Sequence, residues 1–319
     1  MSELEEMLRD TARQLLADKK VEMIIGFERG TLPLRTRPCF VRDAADAERL
    51  VWNLYCGNNL ATYLHSVTGK VGIVAKGCDT RAIVTKVTER QIPRENVVII
   101  GVPCQGVIDR RAIEEQLDGR EVQQVRIADG SITLGGVGYE ETLPLREVLS
   151  DQCVTCRHKN PPLCDVFVGQ AGEDSASPGA DGDGHLTVQE LESWTADERW
   201  AYFSSEFSRC IRCYACREAC PCCYCSECFV DQTQPSWFGK SDDLSDVMAF
   251  HLVRILHVAG RCVQCGACAR ACPMHIDLRT LGQKLEKDMR AWFQYEPGMD
   301  LASRPLLGTF QPDDPQDFS

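Results

Sequence analysis

No apolar run in these 319 residues approaches the roughly 20 needed to cross a bilayer, so no membrane span is expected. The opening Met1-Ser-Glu-Leu-Glu-Glu lacks the basic start and apolar core of a signal peptide, and the cytoplasm is the expected compartment. Positive charge is in short supply. With 35 Lys and Arg against 47 Asp and Glu the net charge is −12, which argues against a nucleic-acid partner. Histidine is scarce, and the six present show no metal-ligand spacing. No Ser–His–Asp or paired-carboxylate arrangement stands out either, which argues against hydrolytic chemistry. A Gly-x-Gly-x-x-Gly run follows none of the predicted strands, so the dinucleotide-binding fingerprint is missing.

Cysteine is what the chain has in excess, 19 residues of it, mostly at metal-ligand spacings rather than as the spread pairs of a disulfide-stapled scaffold. Cys210-Ile-Arg-Cys213-Tyr-Ala-Cys216-Arg-Glu-Ala-Cys220-Pro221 and Cys262-Val-Gln-Cys265-Gly-Ala-Cys268-Ala-Arg-Ala-Cys272-Pro273 are two copies of the Cys-x-x-Cys-x-x-Cys-x-x-x-Cys-Pro run of bacterial-type ferredoxins. Three thiolates two residues apart wrap one cube, and the fourth, carried round by the following helix, reaches the other. One 4Fe–4S cluster is therefore expected on Cys210, Cys213, Cys216 and Cys272, and a second on Cys262, Cys265, Cys268 and Cys220. Zinc has no use for four cysteines in so short a run. Cys216, Cys220 and Cys223 also fit a radical-SAM spacing, but they are nested inside the ferredoxin repeat and are read as coincidence. Such clusters are oxygen-sensitive, which points to an anaerobic host.

The length suits two or three domains, and an apolar content of 44% supports real cores. Residues 2–18 read as an amphipathic helix, 21–25 as a strand ending at Gly26, and 44–65 as a helix. Val71 to Ala75 and Asn96 to Ile100 are short apolar strands, each followed by a helix. Strands alternating with helices predict a parallel sheet with helices on both faces. Val122 to Ile127 adds a possible strand, and 132–143 a turn-rich hairpin region. Cys78 and Cys104 each stand just past a strand, on the carboxyl edge where such sheets bind ligands. Cys153-Val-Thr-Cys156 follows the α/β unit. These four sulfurs make a third metal site, with iron–sulfur favoured over zinc.

Residues 169–185 are rich in Gly, Asp and Ser and read as a linker; their Asp-Gly-Asp-Gly run lacks the spaced ligands of a calcium loop. Helices are expected over 187–208, 243–258 and 276–293, with the aromatics of the first packing over the cluster domain. Helices around the clusters resemble the α-helical ferredoxin domains of heterodisulfide reductase and of succinate dehydrogenase iron–sulfur subunits. Arg212 and Arg217 beside one cluster, and Arg261 and Arg270 beside the other, are expected to raise potentials or to dock an acidic partner surface. Cys222, Cys223, Cys225 and Cys228 leave three roles open: completing the third site in place of Cys78 and Cys104, holding a cluster of their own, or lying inert.

Lys76-Gly77-Cys78-Asp79, Gly101-Val-Pro103-Cys104-Gln105, and Cys153-Val-Thr-Cys156 with Asp165-Val-Phe-Val-Gly169 together resemble the beta-subunit family of coenzyme-F420-reducing (deazaflavin) hydrogenases and formate dehydrogenases. The likeness covers roughly residues 20–170. It implies an electron bridge with iron–sulfur clusters beside an FAD, working among larger redox subunits of a hetero-oligomeric complex. The family's additional N-terminal Cys-x-x-Cys-Gly loop is absent, since only Cys39 and Cys56 precede Cys78. FAD and the deazaflavin coenzyme thus follow from the resemblance alone.

The expected architecture is an α/β domain (parallel sheet with flanking helices) over 1–168, a linker over 169–186, a mainly α-helical dicluster ferredoxin domain over 187–295, and an extended tail over 296–319. The expected function is to relay electrons between a hydrogenase- or formate-dehydrogenase-like catalytic subunit and a heterodisulfide-reductase-like or ferredoxin acceptor. The rival is an FAD-dependent subunit that itself oxidises or reduces the deazaflavin coenzyme or NAD(P)H. A weaker third reading is a regulatory protein whose clusters sense redox state.

Overall fold

Val71–Ala75 is buried along its whole length, the mark of a strand covered on both faces, and the N-terminal sheet is built around it. In the computed structural model of the chain, residues 3–172, 188–236 and 239–306 are described. Helix α1 (Glu3–Ala17) buries Leu8, Ala12, Leu15 and Leu16 and leads into strand β1 (Met23–Arg29). Strand β2 (Thr36–Val41) folds back antiparallel on β1, with Phe27 opposite Pro38. Then follow β3 (Val71–Ala75), helix α2 (Gly77–Thr88), β4 (Val97–Gly101) and α3 (Arg110–Gln116). β5 (Gln124–Ala128), β6 (Ser131–Gly136) and β7 (Tyr139–Pro144) form a separate antiparallel sheet. After the short helices α4 (Leu145–Val148) and α5 (Asp151–Val154), strand β8 (Val166–Phe167) returns to the first sheet.

That sheet runs β2-β1-β3-β4-β8. β1, β3, β4 and β8 are parallel, while β2 is antiparallel on the edge, so the sheet is mixed rather than purely parallel. Its core includes Ile24, Ile25, Phe27, Leu50, Ile73, Val74 and Ile99. The expected long helix over 44–65 does not form. Two 3-10 turns stand there instead, Ala44–Arg49 and Leu60–Ser66. Between them the backbone is spent on tertiary partners: Val51 N donates to Phe27 O at 2.9 Å and Trp52 N to the Glu5 carboxylate at 3.1 Å. Asn59 is buried and bridges this loop to the next element. Its Oδ1 accepts from Ala61 N at 3.1 Å and its Nδ2 donates to Cys78 O at 3.2 Å. Asn59→Ala is expected to lower stability by about 1 kcal/mol, the usual worth of such a cap, seen as a lower urea midpoint at constant slope. An unchanged midpoint would count against this assignment.

The C-terminal half is helical. α6 (Val188–Ser193) and α7 (Ala196–Ser208) divide the predicted 187–208 helix. The break falls where Thr195 caps α7 through a reciprocal bond pair with Glu198. α8 (Ala215–Glu218), α9 (Leu244–His257), α10 (Ala267–Ala271) and α11 (Thr280–Phe293) complete the chain of elements. α7 packs on α9, and α8 lies beside α10. Phe203, Phe207, Val247 and Phe250 form a second core that also contains Cys216 and Cys272, whereas Trp200 is exposed. The halves are stitched together: Arg270 Nη2 donates to Gly57 O at 2.6 Å, and Arg261 Nε pairs with Glu89 at 2.7 Å. Most of the predicted linker, residues 173–186, lies outside the described residues, as does the tail beyond 306.

Candidate functional site

Both ferredoxin-type loops repeat one backbone shape. Arg212 and Tyr214 in the first, and Gln264 and Gly266 in the second, take positive φ. Left-handed non-glycine residues are costly and persist where the surrounding structure demands them. The shape turns amide hydrogens inward: Arg212 N donates to Cys210 Sγ at 3.4 Å. Cys210, Cys213, Cys216 and Cys272 line one cavity, closed by Phe250, His251 and Ile276. At the second loop, Cys220 lies within electrostatic reach of both the Cys262 and Cys265 sulfurs. Burial pushes the Cys216 and Cys262 thiols up to about 12 and Cys265 up to about 11. These sulfurs ionise only where a cation replaces their protons, the condition met by a metal centre.

His251 has no solvent exposure, and its ring stacks on Phe207 with centroids 4.6 Å apart. Its Nε2 lies 3.3 Å from Cys210 Sγ, while Nδ1 has no partner. Burial, helped by Arg254 and Arg212, lowers its pKa to about 4. The ring is therefore neutral at pH 7, and in its Nε2–H tautomer it donates to the sulfur. Hydrogen bonds of this kind tune a cluster's potential. Gln264 Nε2 stands at 3.4 Å from Cys262 Sγ in the equivalent role.

The four cysteines of the α/β half line a larger cavity, of about 280 Å³. Cys78 opens α2 just past β3, Cys104 follows β4, and Cys153 and Cys156 come from α5 and the turn after it. Gly106 N donates to Cys104 Sγ at 3.4 Å. Lys76, buried beneath them, donates to Asp79 and to Asn58 O, both at 2.8 Å. Burial works against its charge, but Asp79 and the neighbouring sulfurs outweigh that and raise its pKa. The far wall comes from the C-terminal half, with Cys265, Arg270, Arg279 and Arg290. The buried atoms Gln152 Nε2, Arg279 Nε and Arg290 Nε find no partner there. Among the described residues no three His, Cys, Asp or Glu side chains are set around a single ion.

The surplus cysteines stand elsewhere. The Cys222 thiol donates to Arg261 O at 3.1 Å, Cys223 N donates to Cys220 O at 3.2 Å, Cys225 is exposed, Cys228 meets Arg217, and none of the four lines the larger cavity. Of the four arginines picked from sequence, Arg217 is held by Glu218 and Asp231 and Arg261 by Glu89. Arg212 and Arg270 donate to backbone carbonyls. His251 and Arg254, buried basic groups beside the sulfurs, come from α9, outside every cysteine motif, and adjacency could not find them.

Residues 68–189 match the family described as the C terminus of the coenzyme F420 hydrogenase/dehydrogenase beta subunit, and residues 256–276 match the 4Fe-4S binding domain. The resemblance read from the motifs is borne out, and the chain is an iron–sulfur electron-transfer protein of the oxidoreductase class. Among individual proteins, it is 24% identical over 355 residues to the F420-dependent formate dehydrogenase subunit beta of Methanocaldococcus jannaschii, covering 92% of each chain. It is 25% identical over 360 residues to the F420-dependent formate dehydrogenase 1 subunit beta of Methanococcus maripaludis, covering 93% of this chain and 91% of that one. A chain of the F420-reducing [NiFe] hydrogenase complex from Methanosarcina barkeri aligns over 49% of this chain and 62% of its own, at 17% identity and a TM-score of 0.38. No described helix is long and apolar enough to cross a membrane.

Proposed function

We propose that this chain is the iron–sulfur relay subunit of a multi-subunit, cytoplasmic oxidoreductase, passing electrons between a hydrogenase- or formate-dehydrogenase-like catalytic subunit and a heterodisulfide-reductase-like or ferredoxin acceptor. The observation that carries this reading is the serial placement of three cysteine groups. Cys216 of the first group is within electrostatic reach of Cys268 of the second, and Cys265 of the second within reach of Cys78 of the third. The series runs from the exposed Cys213 to the basic cavity. Bound iron–sulfur clusters supply one-electron exchange, and a row of sites suits conduction more than substrate chemistry. The converging thiols, the inward amides and the buried cations fit such clusters.

On this reading the α/β unit (1–168) holds the third site through Cys78, Cys104, Cys153 and Cys156. The helical unit (187–295) holds the two ferredoxin-type sites, residues 169–186 connect them, and 296–319 form a tail. Glu296 at the start of that tail already lies against Arg81, Arg157 and His158. The relatives named as beta subunits of formate dehydrogenases support a partner of that kind.

One observation favours a second reading. The third cavity has room beyond four sulfurs, near the lower edge of the roughly 300–1,000 Å³ typical of small-ligand sites. It is lined by Lys76, Arg81, Arg157, Lys159, Arg270, Arg279 and Arg290 against Glu286 and Glu296. That excess of positive charge suits an anionic cofactor such as FAD, and with it a subunit that handles the deazaflavin coenzyme or NAD(P)H itself.

Anaerobic purification distinguishes the two. The relay reading expects about twelve irons per chain, co-purification with a larger redox subunit, and turnover by the isolated chain confined to artificial dyes. Eight irons with one zinc would make the third site structural. Saturable oxidation of NADH, NADPH or reduced deazaflavin coenzyme by the isolated, flavin-reconstituted chain would replace the relay by a catalytic subunit.

A further inference from the structure

We propose that Arg254 is the counter-ion shared by the two cysteine sites of the C-terminal half, and that its guanidinium raises the reduction potentials of both. This rests on the reading that those sites hold iron–sulfur clusters.

Arg254 lies near the end of α9, on the face that also buries Val247, Phe250 and His251, and only 5% of it is exposed. Its Nη2 donates to Cys216 O at 3.0 Å, and its Nε has no partner at all. Among the described residues no carboxylate pairs with it. The sulfurs that act on it are Cys268 and Cys220 of one site, Cys216 of the other, and Cys223. Arg81, similarly buried at the junction of the second and third sites, differs in having Glu296 at 3.3 Å.

A buried charge with no opposite charge costs several kcal/mol, and arginine does not escape by losing its proton. Protonated thiols, being neutral, offer no remedy. Four thiolates around an iron–sulfur cube give a net anion, and clusters held by Cys216 on one side and by Cys220 and Cys268 on the other would set two such charges beside this guanidinium. Loading the sites would thus set compensating negative charge on both sides of Arg254, beyond what Cys220 alone offers. Each reduction adds a negative charge beside a fixed cation, which favours the reduced state; net charge near a cluster is one of the protein's levers on its potential.

The test is an EPR-monitored redox titration of the full chain, purified anaerobically, as wild type, Arg254→Met and Arg254→Lys. In Arg254→Met both midpoints are expected to fall by at least a tenfold change in the one-electron equilibrium, about 59 mV. Arg254→Lys, which keeps the charge, is expected to hold both within half of that shift. Movement of one midpoint alone, or of neither, overturns the proposal. If Arg254→Met cannot hold clusters, retention of both by Arg254→Lys supports the charge requirement, and loss from both variants refutes it in favour of guanidinium geometry. A wild-type chain without two reducible clusters would remove the underlying reading instead, a result visible before any variant is compared.

Discussion

Cys272→Ala is expected to remove the cluster whose other three ligands lie more than fifty residues upstream, at Cys210, Cys213 and Cys216, while the cluster of Cys262, Cys265 and Cys268 survives. The reason is positional. α10 carries its last turn away from the loop in which its own motif lies, and Cys272 ends beside Cys216 in the core of the other site. α8 and α10 lie side by side, which brings each fourth cysteine to its neighbour's loop. Iron analysis should register the loss of about four irons, and EPR of the reduced protein should keep one signal. Loss of the nearer cluster instead would refute the crossed wiring. The mirror substitution, Cys220→Ala, is a weaker test, because Cys222 and Cys223 follow within three residues and act on Cys220, so a neighbouring thiol can take its place.

Asp79→Ala should destabilise the α/β half by about 3–5 kcal/mol, the usual consequence of stripping one partner from a buried ion pair. Lys76 and Asp79 are 2% and 0% exposed at the side chain and meet at 2.8 Å. Asp79 also accepts from Lys76 N at 3.1 Å, so its removal uncaps α2 as well. The urea midpoint reports this at constant slope. Replacing the pair together, Lys76→Met with Asp79→Leu, should recover most of the loss, since no charge is then left buried. A single variant as stable as wild type would show that water or the Cys78 and Cys104 sulfurs carry the Lys76 charge without Asp79.

Much of this was legible in the residues, for definable reasons. β3 and β4 are continuous apolar runs, and α1, α9 and α11 carry apolar positions at helical spacing. The doubled cysteine motif announces itself by spacing alone. β2 was missed because Pro38 argues against a strand, yet as an edge strand it can leave that position unbonded. The helix expected over 44–65 failed because its apolar residues are demanded by separate neighbours. Phe27 O claims Val51, and Asn59 starts a new turn. At the sites, adjacency to a cysteine selected arginines that turned out to be occupied, by Glu89 or Asp231 for example. Arg254 is 38 residues from Cys216 and reaches it only through the packing of α9, which no local pattern encodes. The same holds for the wall of the third cavity supplied by Arg270, Arg279 and Arg290.

If the fourth ligands are exchanged as proposed, that wiring also sets an order of assembly on the ribosome. On that wiring the site whose cysteines are translated first, beginning at Cys210, would be the last to have a full set, because it waits for Cys272. The later motif completes earlier, at Cys268, since Cys220 is already in place. Until Cys272 emerges, that site would have only the three sulfurs of Cys210, Cys213 and Cys216. A chain truncated anywhere between 268 and 272 should therefore hold its downstream cluster and lack its upstream one.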